Sequence, residues 1–518
     1  MSGPCSWTTR RTWRTSSSLR CERWSCQRAA RPSSISSAPS APAHWTSTTG
    51  GASELTESPS CRVMEYMKPR VSGTLGTAIQ GGPVPEPRRA VIVGANRIPF
   101  AKIGGAYRHS SNRDMLTAAI DGLVARAGLA GERLDDVAAG AVLKHSRDHN
   151  VTREAVLGSA LDPHTPAHDV QRACATGLEA IIGVSNKIAL RQADVGIGGG
   201  VDSASDAPIV VSEGLRAALL DLNRARTTQK KLAALARIRP GDLLPVAPDV
   251  AEARTGLSMG EHQALTTARW GITRKAQDEY ALASHQRLAA AYERGFFDGL
   301  MTPYRGLARD ESLRPDTSLE KLASLKPVFG KDLDVPATMT AGNSTPLSDG
   351  ASVVLLSSPE WAEERGHRPL AAVVDALTVA VDFTSGAEGL LMGGAYAIPR
   401  LLDRHGLSLD DFDFIEIHEA FAATVLATLA ALEDDEFARR LGRERALGAV
   451  DRERLNVTGS SLAAGHPFAA TGGRIVGTLA ALLHERGQSR HRTGERALGL
   501  VSVCAAGGQA TTMILEAR

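Results

Sequence analysis

The chain has 518 residues, 43% of them hydrophobic, and a formal net charge of +2. That length supports two or three domains with sizeable cores, and the near-neutral charge argues against nucleic acid as the main partner. Six cysteines do not make a disulfide scaffold in so long a chain. No CxxC pair or His/Cys cluster has zinc spacing, and no run of about 18 apolar residues could span a bilayer. The composition reads as a soluble, cytoplasmic protein of a reduced compartment. The arginine excess over lysine fits a GC-rich genome.

Residues 1–63 differ from the rest. They hold four of the six cysteines (Cys5, Cys21, Cys26, Cys61) and four of the six tryptophans, amid Ser, Arg, Thr and Pro with no apolar periodicity. Three readings compete: an Arg-rich, acid-poor transit peptide, an upstream non-native start, and a disordered tail. The non-native start is preferred, with Met64 or Met67 as the true beginning. "GGPVPEPR" (81–88) reads as a linker, so 1–87 is expected to stand outside the fold.

"RRAVIVGANRIPF" (88–100) opens with a buried strand by pattern, "DMLTAAIDGLVARAGL" (114–129) has helical spacing, and "VAAGAVL" (137–143) reads as the next strand. A helix near 152–160 follows, then a helix from about 175 to 190 and a strand in "ADVGIGGGVDSAS" (193–205). Residues 206–335 are richer in charge and loops and look inserted. Beyond them, 370–380 reads as a strand and 396–407 as a helix. The stretch 412–423 reads as a strand entering a helix, 465–483 as a helix with a glycine-rich start, and 497–510 as a strand ending in glycines. Alternating strands and helices imply a layered α/β architecture. Two echoes in the same order suggest duplication: "CATGLEAI" (174–181) with "AATGGRIV" (469–476), and "VGIGGG" (195–200) with "VSVCAAGG" (501–508).

Cys174 stands where a helix begins. A free cysteine is most often a small buried hydrophobe. At a helix N-terminus, however, the amide groups and macrodipole favour a thiolate and lower the pKa from about 8.5. A catalytic thiolate also needs a base. His418 falls where a strand ends in "IEIHEAFAA", against the plain reading of a histidine in a polar loop. His466 precedes a helix in "GSSLAAGHPFAATGG", whose small residues let backbone approach closely. Cys504 in "SVCAAGGQA" is either another buried thiol or part of a loop aiming N–H groups at a developing oxyanion. Strand ends are where sites collect in α/β sheets. The glycines of 195–200 lack GxGxxG opening a βαβ unit, which argues against a dinucleotide site. The segment 215–239 has seven Arg/Lys and helically spaced apolar residues. It is a solvated basic helix, a contact for a ligand's phosphate, a docking face, or a weak membrane attachment.

Together, "QRACATGLEAI", "IEIHEAFAA", "NVTGSSLAAGHPFAATGGRI" and "CAAGGQA", in this order and spacing, resemble the thiolases. So do "TGLSMGEHQ" (255–263), "QDEYALASHQRLAAAYERGFF" (277–297), "EKLASLKPVF" (320–329) and "TMTAGNSTPLSDGAS" (338–352). The resemblance covers about 90–518. It implies a duplicated, layered α/β/α/β/α fold: an N-terminal domain over 88–205 completed by 336–365, an inserted coenzyme A-binding loop domain over 206–335, and a C-terminal domain over 366–518.

The resemblance also implies roles. Cys174 would accept the acyl group, and His466 would activate Cys174 and help hold the thioester oxygen. Cys504 would move a proton at the α-carbon of acetyl-CoA. The backbone N–H groups of Cys174 and Ala506 would bind the acyl-enzyme oxygen, although the family often has Gly at the Ala506 position. Most thiolases carry Asn where His418 stands. The "HEAFA" form resembles the branch with bacterial anaerobic-type β-oxidation thiolases and trifunctional-complex β-subunits, and favours 3-ketoacyl-CoA thiolysis over purely biosynthetic condensation. Ser258, Met259, Ser344 and Thr345 would meet the pantetheine chain, and Ala420 and Phe421 would line the acyl end.

The implied protein is a ping-pong acyltransferase with coenzyme A as substrate and neither metal nor redox cofactor. It would act as a homodimer or homotetramer, with a hydratase/dehydrogenase subunit as a further partner. A ketosynthase is the first rival, disfavoured by the second thiol. A non-catalytic acyl-CoA or lipid carrier is the other, and would need no paired cysteines and histidines.

Overall fold

The computed structural model describes residues 86–246, 251–490 and 495–517. Residues 1–63, on which the extension readings bear, lie outside them.

In the first half β1 (Val91–Arg97) and the short β2 (Ala101–Lys102) lead to α1 (Asn112–Ala127). Ser111 caps α1 in a capping box with Asp114, and Gly128 ends it in the left-handed region at φ 65°. Then come β3 (Asp136–Ala139), α2 (Val151–Leu157), β4 (Ala167–Asp169), α3 (Thr176–Ala189) and β5 (Val195–Ser203). Five helices follow: α4 (Glu213–Arg224), α5 (Thr228–Leu235), α6 (Met259–Arg269), α7 (Arg274–Glu293) and α8 (Leu319–Ala323). The first half closes with β6 (Ser348–Ser357) and α9 (Pro359–Glu364). The second half runs β7 (Ala371–Ala380), α10 (Gly393–His405), β8 (Phe414–Ile417), α11 (Ala422–Glu433), α12 (Asp435–Arg440), α13 (Ser461–Ala464), α14 (Ala470–Arg490), β9 (Ala497–Ala505) and β10 (Gln509–Ala517).

The halves repeat one another in their pairing. In the first, β3 lies parallel to β5, β5 antiparallel to β6, and β6 antiparallel to β1. In the second, β8 lies parallel to β9, β9 antiparallel to β10, and β10 antiparallel to β7. A short β1–β7 pairing, Val91 with Ala372 and Ile92 with Ala371, joins them into one strand path. Because strand side chains alternate faces, Val353 and Leu355 pack with α1 and α2. Val354 and Leu356 face the opposite way, onto α3 and α14. Likewise Val501 and Val503 join the α3/α14 core while Leu498 and Leu500 pack with α10 and α11. The outcome is helix, sheet, helix, sheet, helix, with α3 and α14 as the shared middle layer.

The two sequence echoes meet there. A Cβ on Gly177 would come within 2.5 Å of the Ala469 carbonyl oxygen, and one on Gly472 within 2.3 Å of the Leu178 nitrogen. The first turns of α3 and α14 therefore touch backbone to backbone, which only glycine allows.

Several expectations needed correction. The strand expected over 137–143 stops at Ala139, because the N–H groups of Val142 and Leu143 leave the ladder for the Asp202 carboxylate. The helix expected from 465 begins at Ala470. Gly465 sits at φ 103°, and Pro467 bars His466 from helical dihedrals. The insertion is rich in loops, as expected, and also carries the five helices α4–α8. Its charged residues are the wet faces of helices such as α7, whose Ala281, Leu288 and Ala291 are buried. Strands β6 and β10, both in the interior of the strand order, were not read from the sequence at all. The basic segment 215–239 forms most of α4 and α5, with Leu219, Leu220, Leu232 and Leu235 exposed.

Candidate active site

Cys174 sits on a tight turn between β4 and α3. Ala175 N–H donates to the Arg172 carbonyl at 2.9 Å, and the Thr176 hydroxyl donates to the Ala173 carbonyl at 2.7 Å. Ala173 is held at φ 43°, a region side-chain-bearing residues seldom adopt. The residue keeps some exposure, while its sulfur is lodged where burial pushes the thiol up to about 12. The N–H groups of Ala506 and of Cys174 itself hydrogen-bond the sulfur and pull the other way, and the Asp202 carboxylate adds to the rise. The expected lowering of this pKa is therefore not met: desolvation outweighs the helix N-terminus. The resting group is a thiol.

His466 lies between α13 and α14 and is 6% exposed. Its Nδ1 lies 2.6 Å from the Thr471 hydroxyl, and its backbone N–H donates to Ser348 Oγ at 3.2 Å. Burial, and after it the Arg474 guanidinium, bring its pKa down to about 3, so the ring is neutral. His418 follows the end of β8, its backbone N–H donating to the Ser502 carbonyl at 2.9 Å. The two imidazoles tilt at 51° with centroids 4.3 Å apart. Burial first, then His466 and Arg474, hold His418 well below the usual histidine range. Its Nδ1 is 3.5 Å from the Cys504 sulfur, and its Nε2 is buried without a partner.

Cys504 is the last residue but one of β9, buried, with its thiol raised by desolvation and by the nearness of Cys174. Ala506 follows on a loop turned by Gly507 and Gly508, at φ 78° and 68°. Cys174, His418, His466, Cys504 and Ala506, far apart in sequence, thus converge on one place.

The coenzyme-contact candidates divide. Met259, Ala420, Phe421 and Cys504 share one apolar cluster with Met339 and Phe329, where Phe329 and Phe421 meet edge to face at 5.7 Å. Ser344 is buried, its hydroxyl without a partner, and it pairs across to Phe421. The Thr345 hydroxyl is already used, donating to the Ala420 carbonyl at 2.9 Å. So is that of Ser258, which caps α6 and donates to Glu261 at 2.7 Å. Those two residues serve first to shape the wall.

Sequence reasoning missed a set of buried ionisable groups around the site. Asp202, fully buried, accepts from Val142 N–H at 2.9 Å, Leu143 N–H at 2.7 Å and Ala469 N–H at 2.8 Å. Burial pushes its carboxyl up to about 7 against those three donors. Arg474 on α14 donates to Ser460 and Ser461. Glu419 accepts from Ser284 Oγ and from Leu462 N–H. Glu416, buried, is pushed up to about 8 by desolvation. The available signal was a single charge inside an otherwise apolar element, as in "FIEI" and "GGRIVG". Among the described residues no group of three His, Cys, Asp or Glu could hold a metal ion, and no helix is long and apolar enough to cross a membrane.

Two family models match. The thiolase N-terminal domain matches residues 90–360 and the thiolase C-terminal domain residues 367–517. The chain is 42% identical over 435 residues to the 3-ketoacyl-CoA thiolase of Yersinia pestis (strain Pestoides F), covering 83% of this chain and 97% of that one. The same values hold for the 3-ketoacyl-CoA thiolase of Yersinia pseudotuberculosis serotype O:1b (strain IP 31758). Among solved structures, the acetyl-CoA acetyltransferase of Bacillus anthracis superposes with a TM-score of 0.68 at 30% identity, covering 84% of this chain and all of that one. Human mitochondrial 3-ketoacyl-CoA thiolase superposes with a TM-score of 0.67 at 29% identity, covering 83% and 99%. With both family domains matched in tandem over 90–517 and relatives covered over nearly their whole length, the chain belongs to the thiolase family.

Proposed function

We propose that the protein cleaves 3-ketoacyl-CoA with coenzyme A, giving acetyl-CoA and a shortened acyl-CoA, through an acyl group carried on Cys174. The observation that carries this reading is the convergence of two thiols and two neutral imidazoles, one with an unpartnered buried nitrogen.

The Cys174 sulfur attacks the ketone carbon as its proton passes to His466. That transfer suits a neutral imidazole whose Nδ1 is occupied by Thr471, leaving Nε2 to receive it. The tetrahedral oxyanion collapses, the C2–C3 bond breaks, and the electron pair moves to C2. The enolate oxygen is met by His418 through its own Nε2–H, or through a water held by Nε2 in the other tautomer. The Cys504 thiol protonates C2, and acetyl-CoA leaves. The N–H groups of Cys174 and Ala506 hold the acyl-enzyme oxygen, with His466 beside it. Coenzyme A then gives its thiol proton to the Cys504 thiolate and attacks the thioester, and departing Cys174 recovers its proton from His466. Every proton is returned. The reverse sequence condenses two acetyl-CoA molecules to acetoacetyl-CoA.

Residues 206–335 serve this chemistry as the coenzyme-binding insertion, with Met259 and Ser344 against pantetheine and Ala420 and Phe421 at the acyl end. The substrate arises by dehydrogenation of a 3-hydroxyacyl-CoA, so a hydratase/dehydrogenase subunit is the partner whose chemistry fits.

The test is CoA-dependent loss of 3-ketoacyl-CoAs of increasing chain length, paired with mass spectrometry of the enzyme after exposure to acetyl-CoA. Turnover with an acetyl adduct on Cys174 is expected. Tight acyl-CoA binding without turnover or adduct would sink the reading in favour of a carrier.

A further inference from the structure

The loop bearing Ala506 is gripped from two sides, by a short turn of the insertion and by the segment that follows β7. On one side, Gly507 N–H donates to Glu252 Oε1 at 2.6 Å. On the other, Gly508 lies so close to Phe383 that a Cβ would come within 2.6 Å of its ring, and Val381 N–H donates to the Gly508 carbonyl at 2.7 Å. Phe383 is met edge-on by the His262 ring at 5.5 Å. His262 Nε2 in turn lies 2.8 Å from the Thr255 hydroxyl. Thr255 belongs to the turn that begins at Glu252: Glu252 N–H donates to the Leu257 carbonyl at 2.9 Å, and Gly256 N–H to the Glu252 carbonyl at 2.8 Å. The contacts close a ring from Glu252 through Gly507, Gly508, Phe383, His262 and Thr255 back to Glu252. The same turn runs directly into Ser258 and Met259 at the start of α6.

Two consecutive glycines make a loop with wide conformational freedom. Left to itself it would not hold the Ala506 N–H in one direction. A charge-assisted hydrogen bond from the next peptide to a carboxylate restricts that freedom. We propose that Glu252 is a positioning residue for the Ala506 N–H, keeping it aimed at the Cys174 sulfur and at the acyl oxygen that forms there. Glu252 touches no reacting atom. It acts through the Ala506–Gly507 peptide, and so ties the insertion's coenzyme-facing turn to the catalytic loop. This rests on the reading above that Ala506 N–H holds the acyl oxygen.

The experiment compares Glu252→Ala and Glu252→Gln in the full chain. With Glu252→Ala, kcat for thiolysis should fall roughly 10-fold, short of the about 10²–10³ typical of deleting a donor outright. KM for coenzyme A should change by less than about 3-fold, since no contact to the coenzyme is removed. Because Ala506 N–H also reaches the free thiol, the pH profile of Cys174 alkylation by iodoacetamide, read on the Cys174 peptide by mass spectrometry, should move to higher pH. Glu252→Gln keeps an acceptor oxygen and should restore most of both properties. Unchanged kcat and alkylation in Glu252→Ala would overturn the assignment, as would a change confined to KM for coenzyme A or a loss that Gln does not rescue. Ala506→Pro, checked for folding by its melting temperature, separates the two readings. Normal acylation of a folded Ala506→Pro would sink the oxyanion role itself. An inactive, folded Ala506→Pro beside a silent Glu252→Ala would sink only the positioning role.

Discussion

The Cys504 sulfur lies 3.5 Å from His418 Nδ1, and the opposite ring nitrogen of His418 is buried with no partner. One imidazole therefore steadies the thiol assigned to the α-carbon while leaving a nitrogen for an incoming group. A buried polar atom without a partner costs stability unless a ligand supplies one.

Replacing His418 tests this arrangement. His418→Ala should slow carbon–carbon cleavage by roughly 10²–10³, the usual cost of one oxyanion donor, with acylation of Cys174 by a simple acyl-CoA little changed. His418→Asn should recover part of the loss if donor placement matters more than ring chemistry. Single-turnover rates of the two half-reactions decide. Equal loss in both, without rescue by Asn, would make His418 structural or move it to the acyl-oxygen site.

The two thiols should separate cleanly. Cys174→Ala should abolish the acetyl adduct formed with acetyl-CoA. Cys504→Ala should still be acylated yet fail to turn over in either direction, because only proton transfer at the α-carbon is lost. An unacylated Cys504→Ala would mean that the division of labour is misassigned.

Much of this arrangement was legible in the sequence because the candidate site residues punctuate the ends of apolar runs. Cys174 and His466 stand just before a helical pattern starts, and His418 and Cys504 stand near where a strand pattern stops. The echo of 174–181 in 469–476 pointed to duplication, and the structure brings the two echoing segments together at the starts of α3 and α14. What escaped reading shares a physical cause. Strand β6 is buried throughout, so it has no alternating polar face to reveal its period. The sign of the Cys174 shift depends on how deeply the sulfur is enclosed, and the groups that act on it beside burial, the Ala506 N–H and the Asp202 carboxylate, are distant in sequence.

The glycine contact should tolerate no side chain. Gly472→Ala would push a methyl group to 2.3 Å from the Leu178 nitrogen, against backbone that cannot rotate away. Overpacking of this kind typically costs about 1–3 kcal/mol, occasionally more, and chemical denaturation should register it. A fully stable Gly472→Ala would show that the two helix starts can slide apart.

His285 offers a pH test away from the chemistry. It is buried on α7, and burial, then Arg314, lower its pKa from 6.5 to about 4. Below 6.5 the unfolded chain takes up a proton that the folded protein refuses. Its contribution is therefore intact above that value and lost as pH falls toward 4, by on the order of 3 kcal/mol in full. In His285→Asn, stability should fall less steeply across this window than in the parent. Parallel curves would show that His285 does not govern the acid limb.

Because Cys174 and His466 lie just ahead of two helices that meet through glycine, their relative placement is set largely by main chain. The wall proposed for the acyl end comes from elsewhere: Ala420 and Phe421 from the approach to α11, packed in one cluster with Met259 of the insertion. Sequence drift in that wall can alter which chain lengths are accepted while the reactive pair keeps its spacing. The fold thus separates what a lineage is free to vary from what it must keep, and redesign of chain-length preference has a natural place to begin.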